Sequence, residues 1–114
     1  MDYINRQVAI IKPKEPYINW TNTLPGAVKP VSIDNLQIDC TAILLPNFDA
    51  EEESLKYLKK IFHHIFEYEL FGWHTDEKAW PQNRTFSLFQ EWFNIESHTE
   101  VIDLGNELIA TEDD

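Results

Sequence analysis

Any chemistry in this chain has to be built from four histidines, a single cysteine and 20 carboxylates. His63 and Glu67 stand four apart, a spacing that sets two metal ligands on one face of a helix, and His74-Thr-Asp76 follows soon after. Together with His98 these residues define one candidate, a small metal-dependent hydrolase or other enzyme using His63, His74, Asp76 and His98. The spacing reproduces no recurrent metal signature, however. His63 and Glu67 also share their side of the chain with Lys56, Lys59 and Lys60, which a solvated stripe of paired charges explains more simply. His64 falls at the edge of that stripe and reads as a partly buried packing residue.

A nucleophile is no easier to place. Cys40 heads an apolar run with no basic neighbour in sequence to lower its pKa, so it is expected to be buried and unreactive. Ser32, Ser54, Ser87 and Ser97 lie in no nucleophile-elbow motif, and Gly26, Gly72 and Gly105 are too scattered for a phosphate-binding loop. No carboxylate pair stands out from the rest. The sequence therefore assigns no catalytic residue, no metal ligand and no cofactor.

The elements that would position such groups are clearer. Arg6 to Lys12 is β-branched and bounded by Pro13, which suits an inner strand. Glu15 to Asn22 starts with a proline in its first turn and predicts a short helix closed by Pro25-Gly26, followed by a loop to Pro30. Ser32 to Leu36 predicts one capped turn. Asp39 to Leu45 runs apolar without alternation, the pattern of a strand that is central or covered on both faces.

The longest element is a helix from Asp49 to Gly72. Asp49 and Glu52 suggest a capping box, Glu51 to Glu53 place negative charge at the positive end of the dipole, and Gly72 offers a left-handed stop. Leu55, Leu58, Ile61, Phe62, Ile65 and Phe66 recur at helical spacing, and Tyr57 and Tyr68 widen this arc to roughly half the circumference, enough for two packing partners. Asp76 to Trp80 predicts a single turn, and Thr85 to Trp92 a further helix packed on the long one. Asn94 to Leu104 reads as a last strand whose alternation changes parity between Ser97 and Val101, calling for a bulge or bend.

This order predicts an α/β or α+β two-layer domain over residues 1–106, with a small sheet of three to four strands and helices packed mainly on one face. Right-handed crossovers would make helix-joined neighbouring strands parallel, although the span from Pro46 to Phe93 allows either direction. Residues 107–114 form an acidic tail expected to be disordered and to add little stability. A chain of 114 residues buries somewhat under about 70% of its unfolded surface, so one core suffices without disulfide or metal.

Charge narrows the partners. A net charge of −11 repels phosphate backbones and anionic lipid, so neither nucleic acid nor membrane is expected as a partner. A basic protein remains, and so does a homo-oligomer. One cysteine, no segment of membrane-spanning length and no leader-like N-terminus predict a cytoplasmic setting.

Eleven of the 15 aromatic residues fall between Tyr57 and Phe93, which a single core can absorb or a binding surface can use. Trp73, His74, Asp76, Trp80 and Arg84 occupy a connection too long for a simple turn, and tryptophan and arginine are the types enriched at binding hot spots. With the C-terminal end of the long helix they form the candidate interaction surface, provided that the tryptophans are not core plugs.

The run from Phe71 to Phe93, with Ile95-Glu-Ser-His98 and Val101-Ile-Asp-Leu104, resembles a family of short bacterial proteins of about this length with no established activity. The similarity extends over nearly the whole chain, including the Lys12-Pro13 turn and the Asp39-Cys-Thr41 strand start. It implies a bacterial, cytoplasmic setting and transfers no functional residue. The expectation is a non-enzymatic interaction or regulatory module, with the enzyme above and an acidic mimic of nucleic acid as alternatives.

Overall fold

β-Branched residues around Val8 to Ile11 build the strand on which everything else is assembled. In the computed structural model, which describes residues 2–26 and 31–112, β1 (Arg6–Pro13) lies between β2 (Thr41–Pro46) and β3 (Phe93–His98). Both pairings are antiparallel, with Ile11 opposite Thr41 on one side and Ile95 on the other. The parallel arrangement expected of helix-joined neighbours is thus not adopted. After α1 (Glu15–Thr23) the connection carries a second short helix, α2 (Ile33–Leu36), and returns to the end of the sheet at which it left β1. The loop expected up to Pro30 lies, beyond Gly26, outside the described residues.

α2 follows its sequence signal, since the Ser32 side chain accepts from the Asn35 amide. β2 does not. It is an edge strand, and Ala42 and Leu44 are exposed on a sheet face that carries no helix among the described residues. An unbroken apolar run does not by itself distinguish a covered strand from an edge strand with one bare face. Along β1 the alternation is plain: Gln7, Ala9, Ile11 and Pro13 are buried under the helices, while Val8, Ile10 and Lys12 face the other way.

α3 (Glu51–Phe71) spans 21 residues and buries Leu58, Ile65, Phe66 and Leu70. Its ends differ from the sequence expectation. The residue at the N-cap is Ala50, which has no side-chain acceptor, so the Asp49 capping box is not formed. Gly72 has φ −61° and ψ −22°, a right-handed conformation, and the helix closes through Gly72 and its successors rather than by a left-handed turn. α4 (Phe86–Trp92) is capped by the Thr85 hydroxyl and packs on α3 as its aromatic stripe predicts, with the Phe62 and Phe66 rings 5.9 and 5.6 Å from Phe89. Ala9, Ile11 and Leu45 from the sheet, Tyr17 from α1, Phe66 and Leu70 from α3, and Phe89 and Phe93 at α4 and β3 share one core.

A bend does follow Ser97, at Thr99, but the change of register falls on the segment facing it. β3 ends at His98, opposite Val8, whereas Tyr3 pairs with Ile102 one residue out of that register, and the Ile4 amide donates to the Val101 carbonyl at 2.9 Å. Five steps lead from Tyr3 to Val8 and four from His98 to Ile102, so the extra residue lies on the Tyr3 side, where the chain bends at Asn5, and a second bend stands at Thr99. Among the described residues beyond Asn106 there is no helix or strand, and Leu108 and Ile109 are exposed. Among the described residues the result is a three-stranded antiparallel sheet with four α-helices, an α+β domain.

Candidate interaction surface

The connection that leaves α3 is held closely to the core. The Trp73 and His74 amides both donate to the Leu70 carbonyl, at 3.1 and 3.0 Å. Asp76 then accepts from the Lys78 amide and starts a 3₁₀ turn at Glu77–Ala79, as its position predicts. Trp80 follows, and here the structure corrects the surface reading. Its ring is only 5% exposed and its indole N–H donates to the His74 carbonyl at 2.7 Å, so this tryptophan is a core plug.

Neighbouring groups complete the latch. The Trp20 indole of α1 donates to the Ala79 carbonyl at 2.9 Å, and the Gln82 amide to the Trp80 carbonyl at 2.7 Å. Arg84 is half-buried rather than free at the surface. Its guanidinium lies 5.5 Å from the centre of the Trp80 ring, donates to the Pro81 carbonyl and stands 3.9 Å from the Glu67 carboxylate. Of the five residues singled out, Trp73 and Asp76 are exposed, His74 is half-buried, and Trp80 and Arg84 fix the loop.

The exposed aromatic residues continue backward along the C-terminal end of α3, as expected of the candidate surface, and include Tyr68, which the spacing assigned to the packing arc. Tyr68 is 67% exposed, Phe71 58% and Trp73 41%, all within six residues. A signal was available: at about 100° per residue Tyr68 stands nearly opposite Phe66, and the core-facing positions at this end belong to Phe66 and Leu70. Tyr68 therefore extends no core arc. Three large rings are exposed instead at the end of a backbone held by the Trp80 latch, and the exposed carboxylates Asp76 and Glu77 follow them in the chain.

The polar residues that suggested catalysis are not brought together. His98 is paired opposite Val8, on the sheet face that carries no helix, and contacts Glu96 at 2.8 Å. His63 and His74 belong to α3 and the connection after it, on the sheet's other side. His64 is exposed rather than partly buried, its ring 4.2 Å from that of His63. Among the described residues, no group of three or more His, Cys, Asp and Glu side chains is arranged to hold a metal ion.

A second polar neighbourhood lies where β2 begins. Cys40 is half-buried, with its thiol 3.7 Å from the Gln37 carbonyl, and burial pushes the thiol up despite Lys12 nearby. Burial likewise pushes the Glu69 carboxyl up, against a hydrogen bond from Thr41, and its Oε1 has no hydrogen-bond partner. The Tyr17 hydroxyl donates to the Glu69 carbonyl at 2.6 Å and is pushed up by its own burial. These shifts keep the thiol and the phenol protonated, the reverse of what an activated nucleophile requires.

No helix among the described residues is long and apolar enough to cross a membrane. Compared with protein-family models, with curated proteins and with solved structures, the chain matches none.

Proposed function

We propose that this protein is a non-enzymatic interaction module that engages a basic protein through Tyr68, Phe71 and Trp73. The observation that carries this reading is the exposure of three large rings on a helix end and loop that the Trp80 latch holds in place. Rings already fixed by their support lose little freedom on binding, and aromatic side chains provide large contact areas. The net charge of −11 supplies the sign: a cationic partner is attracted at long range and an anionic one repelled. The bacterial, cytoplasmic setting belongs to the same proposal.

The test is affinity capture from a bacterial lysate with the wild-type chain and with a Phe71→Ser, Trp73→Ser double variant. A basic protein captured stoichiometrically by the wild type, released by raised salt and lost by the folded double variant, supports the proposal. Equal capture by both chains overturns the assignment of the surface, and an acidic or salt-insensitive partner overturns the electrostatic part.

A further inference from the structure

The groove beside the first turns of α3 and the outer edge of β3 together form a second, separate site. The groove has a volume of about 450 Å³, with Leu55, Leu58, Phe93 and Ile95 as its apolar floor and Glu51 and Glu52 on its rim. Leu55 is half-exposed there although it belongs to the apolar arc of α3, and no cation is found among the residues lining the groove. β3 pairs only with β1 among the described residues, so its other edge is open.

The register shows what that edge offers. Lys14 donates to the Trp92 carbonyl at 2.8 Å, and Pro13, which has no N–H, sits opposite Phe93. Backbone groups alternate sides along an antiparallel pair, so Asn94, Glu96 and His98 turn theirs toward β1 while Ile95 and Ser97 turn theirs outward. The Phe93 amide agrees, since it is taken by the Phe89 carbonyl at the end of α4 rather than by β1. The residues with free backbone groups, Ile95 and Ser97, are also those whose side chains line the groove. A strand added to this edge would satisfy those groups and drop alternate side chains onto Leu55 and Leu58.

We propose that the β3 edge and its groove bind an extended segment of a partner protein in which apolar side chains alternate with basic ones. Edge addition provides the backbone hydrogen bonds and the groove selects the apolar face. Glu51 and Glu52, on a chain of net charge −11, select the cations. A second copy of this chain is disfavoured by the same charge, which the two copies would share.

A capped synthetic peptide alternating lysine and valine is the probe, followed by NMR and amide hydrogen exchange. In the free protein the Ile95 and Ser97 amides should exchange faster than those of Asn94, Glu96 and His98. Peptide should slow them selectively and bind more weakly as salt rises. Ser97→Pro removes an outward N–H, which edge strands tolerate, and should weaken the peptide by at least about tenfold. If that variant fails to fold, Leu55→Lys, at a half-exposed position, should have the same effect by placing a cation on the floor. Unchanged Ile95 and Ser97 amides at millimolar peptide, undiminished binding by a folded variant, equal binding of a glutamate-valine peptide, or dimerisation through β3 would each overturn the proposal. The Phe71→Ser, Trp73→Ser chain should bind this peptide normally, so failure of the aromatic surface and failure of the groove are separable.

Discussion

At its C-terminal end α3 places Phe66 and Leu70 fully in the core, receives the Tyr17 hydroxyl on the Glu69 carbonyl and is followed by the Trp80 latch. At its N-terminal end Glu51, Glu52 and Glu53 are exposed, the cap position is an alanine, and Leu55 looks into an open groove. One continuous helix is thus anchored at one end by buried aromatics and bonded carbonyls, and more lightly at the other by Leu58, by the Tyr57 ring 5.5 Å from Phe48 and by its own dipole. The anchored end can present rings in fixed positions. The lightly held end leaves room for a strand to enter. Rigidity and vacancy are different means of recognition, and this fold has one at each end of the same helix.

The largest effect should come from removing the anchor. Trp80→Ala deletes a 5%-exposed ring together with the N–H that bonds the His74 carbonyl, and it strips Arg84 of its stacking surface. We expect a loss of about 3–5 kcal/mol in denaturant unfolding. A loss below about 1 kcal/mol, the range of an ordinary surface change, would show that the latch does not hold this end.

How far the sequence carried the reading follows from the same contrast. The strands, α1 and the Thr85-capped α4 were legible because periodicity and caps are local, and so was a bend after Ser97, although the extra residue of the register lies between Tyr3 and Val8, where no sequence signal pointed. The antiparallel direction of β2 and its edge position were not, because they depend on where the connection through α2 returns. Trp80 and Arg84 misled for a related reason: a tryptophan in a loop has the same sequence signature whether it faces solvent or a core. The Asn94 to His98 run foretold a strand, but nothing in it foretold that its outer edge would border a groove.

A smaller effect should come from improving the weak end. Ala50 has φ −134° and ψ 146°, the extended conformation of an N-cap, and its carbonyl takes the Glu53 amide at 3.1 Å, but it lacks a side-chain oxygen to offer the Glu52 amide. Ala50→Ser supplies one without adding charge and should stabilise the fold by about 0.5–1 kcal/mol, seen as a raised Tm and slower exchange at the first amides of α3. No gain would mean that Asp49 or water already satisfies these amides in solution, and the two ends would be more alike than their side chains suggest.

The smallest expected effect concerns the one flaw at the anchored end. Burial raises the Glu69 carboxyl above its ordinary range, against the Thr41 hydrogen bond, and leaves Oε1 without a partner. The folded state therefore holds this proton more tightly than the unfolded chain does. Between the ordinary carboxylate pKa and the raised one the folded state binds more protons, so stability falls as pH rises through that window, and the handicap is complete above it. Glu69→Gln keeps an oxygen for Thr41 and removes the ionisation. Unfolding measured against pH should show the variant more stable at neutral pH, level with the wild type below about pH 4, where wild-type Glu69 is protonated in both the folded and the unfolded state, and flatter between. The gain is limited because the carboxylate is still partly exposed and solvent screens it. Parallel curves for the two chains would show that Glu69 ionises in the fold as freely as it does in the unfolded chain, and that the anchored end of α3 carries no electrostatic penalty.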